Sequence, residues 1–409
     1  MQNSSWLICG VRGSFAEGNK MEKYRNKDLP VCERVEDLLN RMTFEEKIDQ
    51  ITCLVTISED IPDFKEYIPN GIGNVGAFTV DDRVEPIVEY AERLQKYLVE
   101  NTRLGIPALI HCEASAGAQF TEADVFPSAI AQASTFDTSI VEKMANIIRE
   151  QMYNVGFRQA LSPVVDITRD PRWGRITETY GEDPTLTSAM ASAFVKGIQG
   201  DDLSTGVLAT AKHFAGHGIT EGGLNMGRNM VSDRDMLEIH CKPFQCAITE
   251  CGLKSVMNSY CSVNGEPVVG SKKMLTDILR GELGFRGFVV SDYLSLDRLV
   301  DPFAVEENFD NAGIRAMKAG LDVEYPRPKG FSYHLKDAVE NGQLSIDVIN
   351  QAVRRVLTEK FELGLFENPY PNLSVLKKYL HQQSTHELNQ TIAEESFILL
   401  KNENQLLPL

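Results

Sequence analysis

Two observations predict a (β/α) barrel of the TIM type. Seven short apolar runs alternate with helical stretches over about 300 residues, and six polar residues stand at the ends of those runs. The alternation alone fits an open doubly wound sheet equally well. The polar residues decide between the two. Glu113, Asp166, Lys212, His213, Tyr260 and Asp292 stand at or just past the carboxyl ends of five different runs. A closed barrel gathers strand ends into one ring, whereas an open sheet spreads them along an edge.

Taken in order, residues 1–27 show no periodicity and read as a loose tail. Asp28-Leu29-Pro30 opens the ordered chain. Val35, Leu38, Leu39 and Met42 have helical spacing, and Thr43 with Glu46 forms a capping box for a second helix running from Phe44 to about Cys53. The expected strands are 73–78, 108–112, 158–167, 207–213, 255–260, 287–291 and 321–324. Between them, helices are expected over 85–101, 139–154, 185–198, 233–250, 272–283 and 305–318. Ser139 with Glu142, and Ser232 with Asp235, have the pattern of N-terminal helix caps. The barrel is expected over 28–367. Asn368-Pro369-Tyr370-Pro371 marks a break, and 368–409 reads as a linker with one helical stretch and a closing apolar strand that leads toward a further domain.

The net charge of −17 repels polyanions, which argues against nucleic acid or an anionic membrane surface as a partner and leaves neutral substrates unopposed. No apolar run approaches the length of a membrane span, and the short patch from Trp6 to Cys9 lacks the basic flank of a secretory leader, so a cytoplasmic location is expected. The eight cysteines include no Cys-x-x-Cys and no Cys/His set with zinc spacing. They read as reduced thiols, and no metal or organic cofactor is expected.

Five segments carry chemistry. An apolar strand delivers Asp292, a carboxylate that can serve as nucleophile, base, ligand or structural acceptor. Lys212 and His213 place a cation and an imidazole at one strand end, suited to vicinal hydroxyls, phosphate or carboxylate. His217, four residues on, reads as a loop histidine. The segment from Arg169 to Pro184 is dense in charge and contains Pro171-Arg172-Trp173-Gly174-Arg175, from which one arginine is expected to enter the site. Glu113 ends one further strand, and Met257 and Tyr260 mark another.

In combination and order, the Pro171-Arg172-Trp173-Gly174-Arg175 loop, Lys212-His213-Phe214 and Ser291-Asp292-Tyr293 resemble glycoside hydrolase family 3, the β-glucosidase and β-xylosidase family. The resemblance runs from about Leu29 to Leu409. It implies a retaining, exo-acting β-glycosidase that releases a terminal monosaccharide from an oligosaccharide or aryl β-glycoside. Asp292 would be the nucleophile, and Glu113, Arg175, Lys212, His213, Met257 and Tyr260 would hold the sugar. Arg175 is preferred to Arg172 because the second arginine of the motif usually has that role. The family's usual acid/base lies in a second α/β domain, so the resemblance implies a barrel without that domain and a proton drawn from it or from a partner chain. One branch, the β-N-acetylglucosaminidases, uses an Asp-x-His pair after Lys-His-Phe. Here that stretch reads Ile219-Thr220-Glu221-Gly222-Gly223-Leu224-Asn225, without the pair and with Leu224 where an arginine is common. The alternatives are a single-domain hydrolase of that branch, a hydrolase protonated by His217 or Glu221, and an inactive sugar-binding relic.

Overall fold

The computed structural model describes residues 22–55, 63–76 and 83–408. Seven strands form one parallel sheet in chain order: β1 (Cys53–Val55), β2 (Asn74–Gly76), β3 (Leu109–Cys112), β4 (Gln159–Ala160), β5 (Leu208–Phe214), β6 (Ser255–Asn258) and β7 (Phe288–Val290). Residues 322–324 close the ring. The N–H groups of Asp322 and Val323 each donate to the Val289 carbonyl at 3.0 Å, and that of Glu324 donates to Ile51 at 3.1 Å. The predicted barrel is therefore present, with 322–324 as an eighth stave between β7 and β1. Its acidic residues are both anchored. Asp322 pairs with Arg280 at 2.5 Å and Arg355 at 2.7 Å, and Glu324 collects the N–H groups of Lys329, Gly330 and Phe331.

The strands are covered on both faces, so they read as apolar runs without alternation. One of them, β1, escaped the sequence reading. The second helix stops at Gln50, and the three residues of β1 follow too closely to show a period of their own. Inside the barrel, polar side chains satisfy one another as burial requires. The Tyr325 hydroxyl donates to Gln159 Oε1 at 2.8 Å, and Gln159 Nε2 donates to Thr210 at 3.0 Å and Ser255 at 3.2 Å.

The capping box at Thr43 and Glu46 is formed, and Ser232 accepts the Asp235 N–H. Ser139, expected as a cap, lies inside helix Thr138–Val155. Asp137 caps that helix instead and accepts the Ser139 N–H at 2.8 Å, because a carboxylate is the better acceptor at a helix N-terminus. The expected 233–250 helix is interrupted by a π-turn at Met236–His240. Pro243, which has no N–H to give, sits in the first turn of its continuation, Lys242–Cys251. The expected 305–318 helix starts later, at Phe309, where Asn308 caps it, while the Val305 and Glu306 N–H groups turn back to the Leu299 carbonyl.

Beyond residue 367, helices Leu373–Tyr379 and Gln383–Glu395 bury Leu376 and Ile392, and Gln151 on helix Thr138–Val155 donates to the Tyr379 carbonyl at 3.1 Å. The stretch from Phe397 to Leu400 is not the expected strand. No described strand pairs with it, and Phe397 and Leu400 stand 81% and 92% exposed. All seven described cysteines are free thiols, Cys9 lying outside the described residues. No described helix is long and apolar enough to cross a membrane.

Where neighbouring strands begin, backbones nearly touch. A Cβ on Gly287 would lie 1.9 Å from the Lys254 carbonyl oxygen, and one on Gly73 2.1 Å from that of Gln50. Gly342, by contrast, has open space around it and only a positive φ of 77°. Gly287→Ala is expected to lower stability by about 3 kcal/mol or more, since backbone must move, and Gly342→Ala by about 1 kcal/mol. Urea denaturation of the two variants checks the difference, and equal midpoints would refute it.

Candidate active site

Asp292 stands two residues past the end of β7. Its N–H donates to Asn258 Oδ1 at 3.3 Å, and its own Oδ1 accepts the Tyr293 N–H at 2.7 Å. Tyr293 is held in turn: its hydroxyl lies 2.9 Å from His111 Nε2, and its carbonyl accepts the Tyr260 hydroxyl at 2.7 Å. One carboxylate oxygen is thus fixed. The other, Oδ2, has no hydrogen-bond partner and lies 3.6 Å from His213 Nε2. Burial pushes the Asp292 carboxyl up to about 6, against the opposing pull of Lys212, Arg175 and the Tyr260 hydroxyl.

Successive residues of a strand normally face opposite sides. A register irregularity between Ala211 and Phe214 interrupts β5, and both Lys212 and His213 act on the same hollow. Lys212 Nζ donates to both Glu113 oxygens, at 2.6 and 2.7 Å. Asp166 Oδ2 accepts the His213 backbone N–H at 3.2 Å and lies 2.7 Å from His213 Nδ1. Burial raises Asp166 to about 7, with Arg175 opposing. Burial also drives His213 well below the ordinary imidazole range, helped by the charges of Arg175 and Lys212, so the ring is neutral.

Of the two arginines in the charged loop, Arg172 is exposed and paired with Asp170, while Arg175 turns inward. Arg175 makes a two-pronged pair with Glu178 at 2.9 and 2.8 Å and is the strongest charge opposing ionisation loss at Asp166. His217 packs edge-on against Trp173, His213 and Tyr260, at ring separations of 5.3, 4.7 and 5.9 Å. Its Nε2 lies 2.8 Å from the Asn225 carbonyl, and its Nδ1 has no partner. A small sheet of Arg228–Asn229, Ser262–Val263 and Glu266–Pro267 ties the loop carrying Asn225 to the one carrying Tyr260. Asp166, His213 and His217 are the one trio among the described residues whose possible ligand atoms lie within 4.8 Å of one another, but two of those atoms already share a hydrogen bond.

The structure therefore brings Asp292, Lys212, His213, Arg175, Glu113 and Tyr260 together. Met257 is buried in β6, in register with Val290, and shares its side of the strand with Ser255, whose hydroxyl meets Gln159 inside the barrel. Sequence reasoning gave no part to Glu178 or Tyr293, and none to Asp166 beyond its place at a strand end. The signal for Asp166 was its strand-end position, but nothing in the sequence pairs it with residue 213.

An eight-stave parallel barrel with acids, cations and imidazoles collected at the carboxyl ends of its strands defines the class of (β/α) barrel enzymes. Residues 43–359 match the Glycosyl hydrolase family 3 N terminal domain, and the chain belongs to that family. It is 33% identical over 424 residues to a β-xylosidase of Formosa agariphila, covering 99% of this chain and 53% of that one. It is 31% identical to the periplasmic β-glucosidase of Salmonella typhimurium, covering 92% of this chain and 48% of that one. Among solved structures, a β-glucosidase from Erythrobacter marinus superposes with a TM-score of 0.89 at 31% identity, over 95% of this chain and 52% of that one. The chain spans about half the length of these relatives.

The Asp292 carboxyl titrates above its ordinary 3.8 in the fold, so its contribution to stability is intact below about pH 4 and is lost as pH rises through about 6. Asp292→Asn cannot ionise. It is expected to melt at a higher temperature than the native protein at about pH 8 and to lose that advantage near pH 4 in calorimetric scans. Identical melting at the higher pH would show that the buried charge costs the fold nothing.

Proposed function

We propose that this chain carries the glycon site and nucleophile of a retaining, exo-acting β-glycoside hydrolase acting on terminal β-glucosyl or β-xylosyl units. The observation that carries the reading is Asp292 Oδ2, a carboxylate oxygen without a partner, at the mouth of a barrel and flanked by Lys212, His213 and Arg175. Relatives named β-glucosidase and β-xylosidase support the substrate class.

The mechanism follows from the groups present. Oδ1 is committed to the Tyr293 N–H, so Oδ2 is the oxygen free to attack the anomeric carbon. The transition state is oxocarbenium-like, the product is a glycosyl ester on Asp292, and water then releases the sugar. Lys212 and Arg175 hold the carboxylate toward its charged form. Glu113, Lys212, His213, Arg175 and Tyr260 are the groups available to hold the sugar. Contacts that tighten as charge develops lower the barrier.

The leaving group needs a proton, and a retaining pair of carboxyls stands about 5–5.5 Å apart. The described carboxyls nearby are engaged: Glu113 with Lys212, Glu178 with Arg175, Asp166 with His213, and Glu221, on an exposed loop, with Arg228. His217 is driven down to about 4 by burial and is neutral near pH 7, a poor acid. The proton donor is therefore assigned to a separate module, in keeping with relatives about twice as long.

The chain is expected to react with a 2-deoxy-2-fluoro glycoside bearing an acidic phenol, which needs little protonation, and to leave a label on Asp292 in peptide mass spectrometry. Natural disaccharides are expected to turn over at least about 100-fold more slowly relative to such aryl glycosides than they do with a two-domain relative. A label on any other residue would overturn the assignment of the nucleophile.

A further inference from the structure

In the reading above, Asp166 has no contact with substrate, yet it is among the most deeply buried acids of the site and spends one oxygen on two groups of a single residue. We propose that Asp166 is a positioning residue that fixes His213 as the Nδ1–H tautomer, so that Nε2 presents a lone pair beside Asp292 and accepts the hydrogen of a sugar hydroxyl. The inference rests on the glycon-site reading for its ligand, but its first half concerns the protein alone.

The geometry points to this tautomer in three steps. Asp166 Oδ2 already accepts the backbone N–H of His213, so that oxygen acts as an acceptor, and the Nδ1 atom 2.7 Å away is the donor that completes its shell. A neutral imidazole carries one N–H only; with that hydrogen at Nδ1, Nε2 must be an acceptor. At Nε2 the nearest charged oxygen is Asp292 Oδ2, at 3.6 Å, which is beyond hydrogen-bonding reach and has no partner of its own. Two lone pairs then face one space with no hydrogen between them.

His217 extends the pattern. Its Nε2 donates to the Asn225 carbonyl at 2.8 Å, so its buried Nδ1, which has no partner, is a third acceptor, on a ring 4.7 Å from that of His213. The charged groups around this space are Lys212 on the same strand, Arg175 and Glu178 on the charged loop, and Asp166 and Asp292 at neighbouring strand ends. Cations thus line one part of the hollow, and acceptors without hydrogens line another. A ligand that satisfies the acceptors must bring donors, and vicinal hydroxyls of a pyranose do so. A ligand whose hydroxyl is replaced by hydrogen or fluorine leaves an acceptor buried and unpaired.

The test uses the whole chain with 15N-labelled histidine. The protein has seven histidines, and His213→Gln identifies the resonances of residue 213. The expected result is a pyrrole-like Nδ1 and a pyridine-like Nε2 for His213 near neutral pH. In Asp166→Ala, which removes the acceptor altogether, the ring loses the oxygen that holds its hydrogen at Nδ1 and is expected to shift toward the Nε2–H form, while the His111 resonances stay in place and report an intact barrel. Affinity for a glucose-configured basic iminosugar is expected to fall by about tenfold in that variant, one neutral hydrogen bond's worth. A native Nε2–H tautomer would overturn the proposal even if the variant does not fold. So would Asp166→Ala with unchanged tautomer and unchanged affinity. An Nδ1–H tautomer in a protein that binds no iminosugar supports the role of Asp166 and sinks the glycon reading of the site, so the two failures are distinct.

Discussion

Closure of the strand ring at residues 322–324 is the constraint on which the rest of the structure depends. β7 and β1 come from opposite ends of the barrel's chain order, and only the hydrogen bonds of this short stave to Val289 and Ile51 bring them into one circle. The stave is too short to be held by strand pairing alone. Its two carboxylates carry it: Asp322 is gripped by two arginines, and Glu324 by three successive N–H groups. Once the circle closes, the ends of β3, β5, β6 and β7 face one hollow, and groups separated by up to 179 residues in sequence, Glu113 and Asp292, share one field.

That field is organised by burial more than by pairing. Asp166, Asp292, His213 and His217 are each displaced toward their neutral forms by desolvation, while Arg175 pulls both carboxylates back and Lys212 that of Asp292. The result is a site in which protons are few and their positions are set by geometry. Glu113 and Glu178 neutralise the two cations without blocking Asp292 Oδ2.

Much of this was legible in the residues. The barrel followed from alternating apolar runs and from polar residues at their ends, and the closing stave was visible as an apolar run ending in Glu324. Of the two arginines of the motif, Arg175 is the more buried and its charge acts on Asp166 and Asp292, while Arg172 is exposed. Other features left no local trace. The Ser139 cap lost to Asp137 because two good acceptors lay two residues apart, and the spacing alone favoured the wrong one. β1 was absorbed into the preceding helix because three residues cannot display a period.

The sequence by itself determined the class of fold, the family, and the residue types that stand at the strand ends. Those properties live in periodicity and in short motifs, which need no knowledge of distance. Only the tertiary structure decided which atoms are spoken for: that Lys212 is engaged by Glu113, that Asp166 and not a neighbour holds His213, and that Asp292 keeps one oxygen free. A hydrogen bond depends on tenths of an ångström between chain segments that the ring brings together, and no local pattern of residues encodes a distance across a closed barrel.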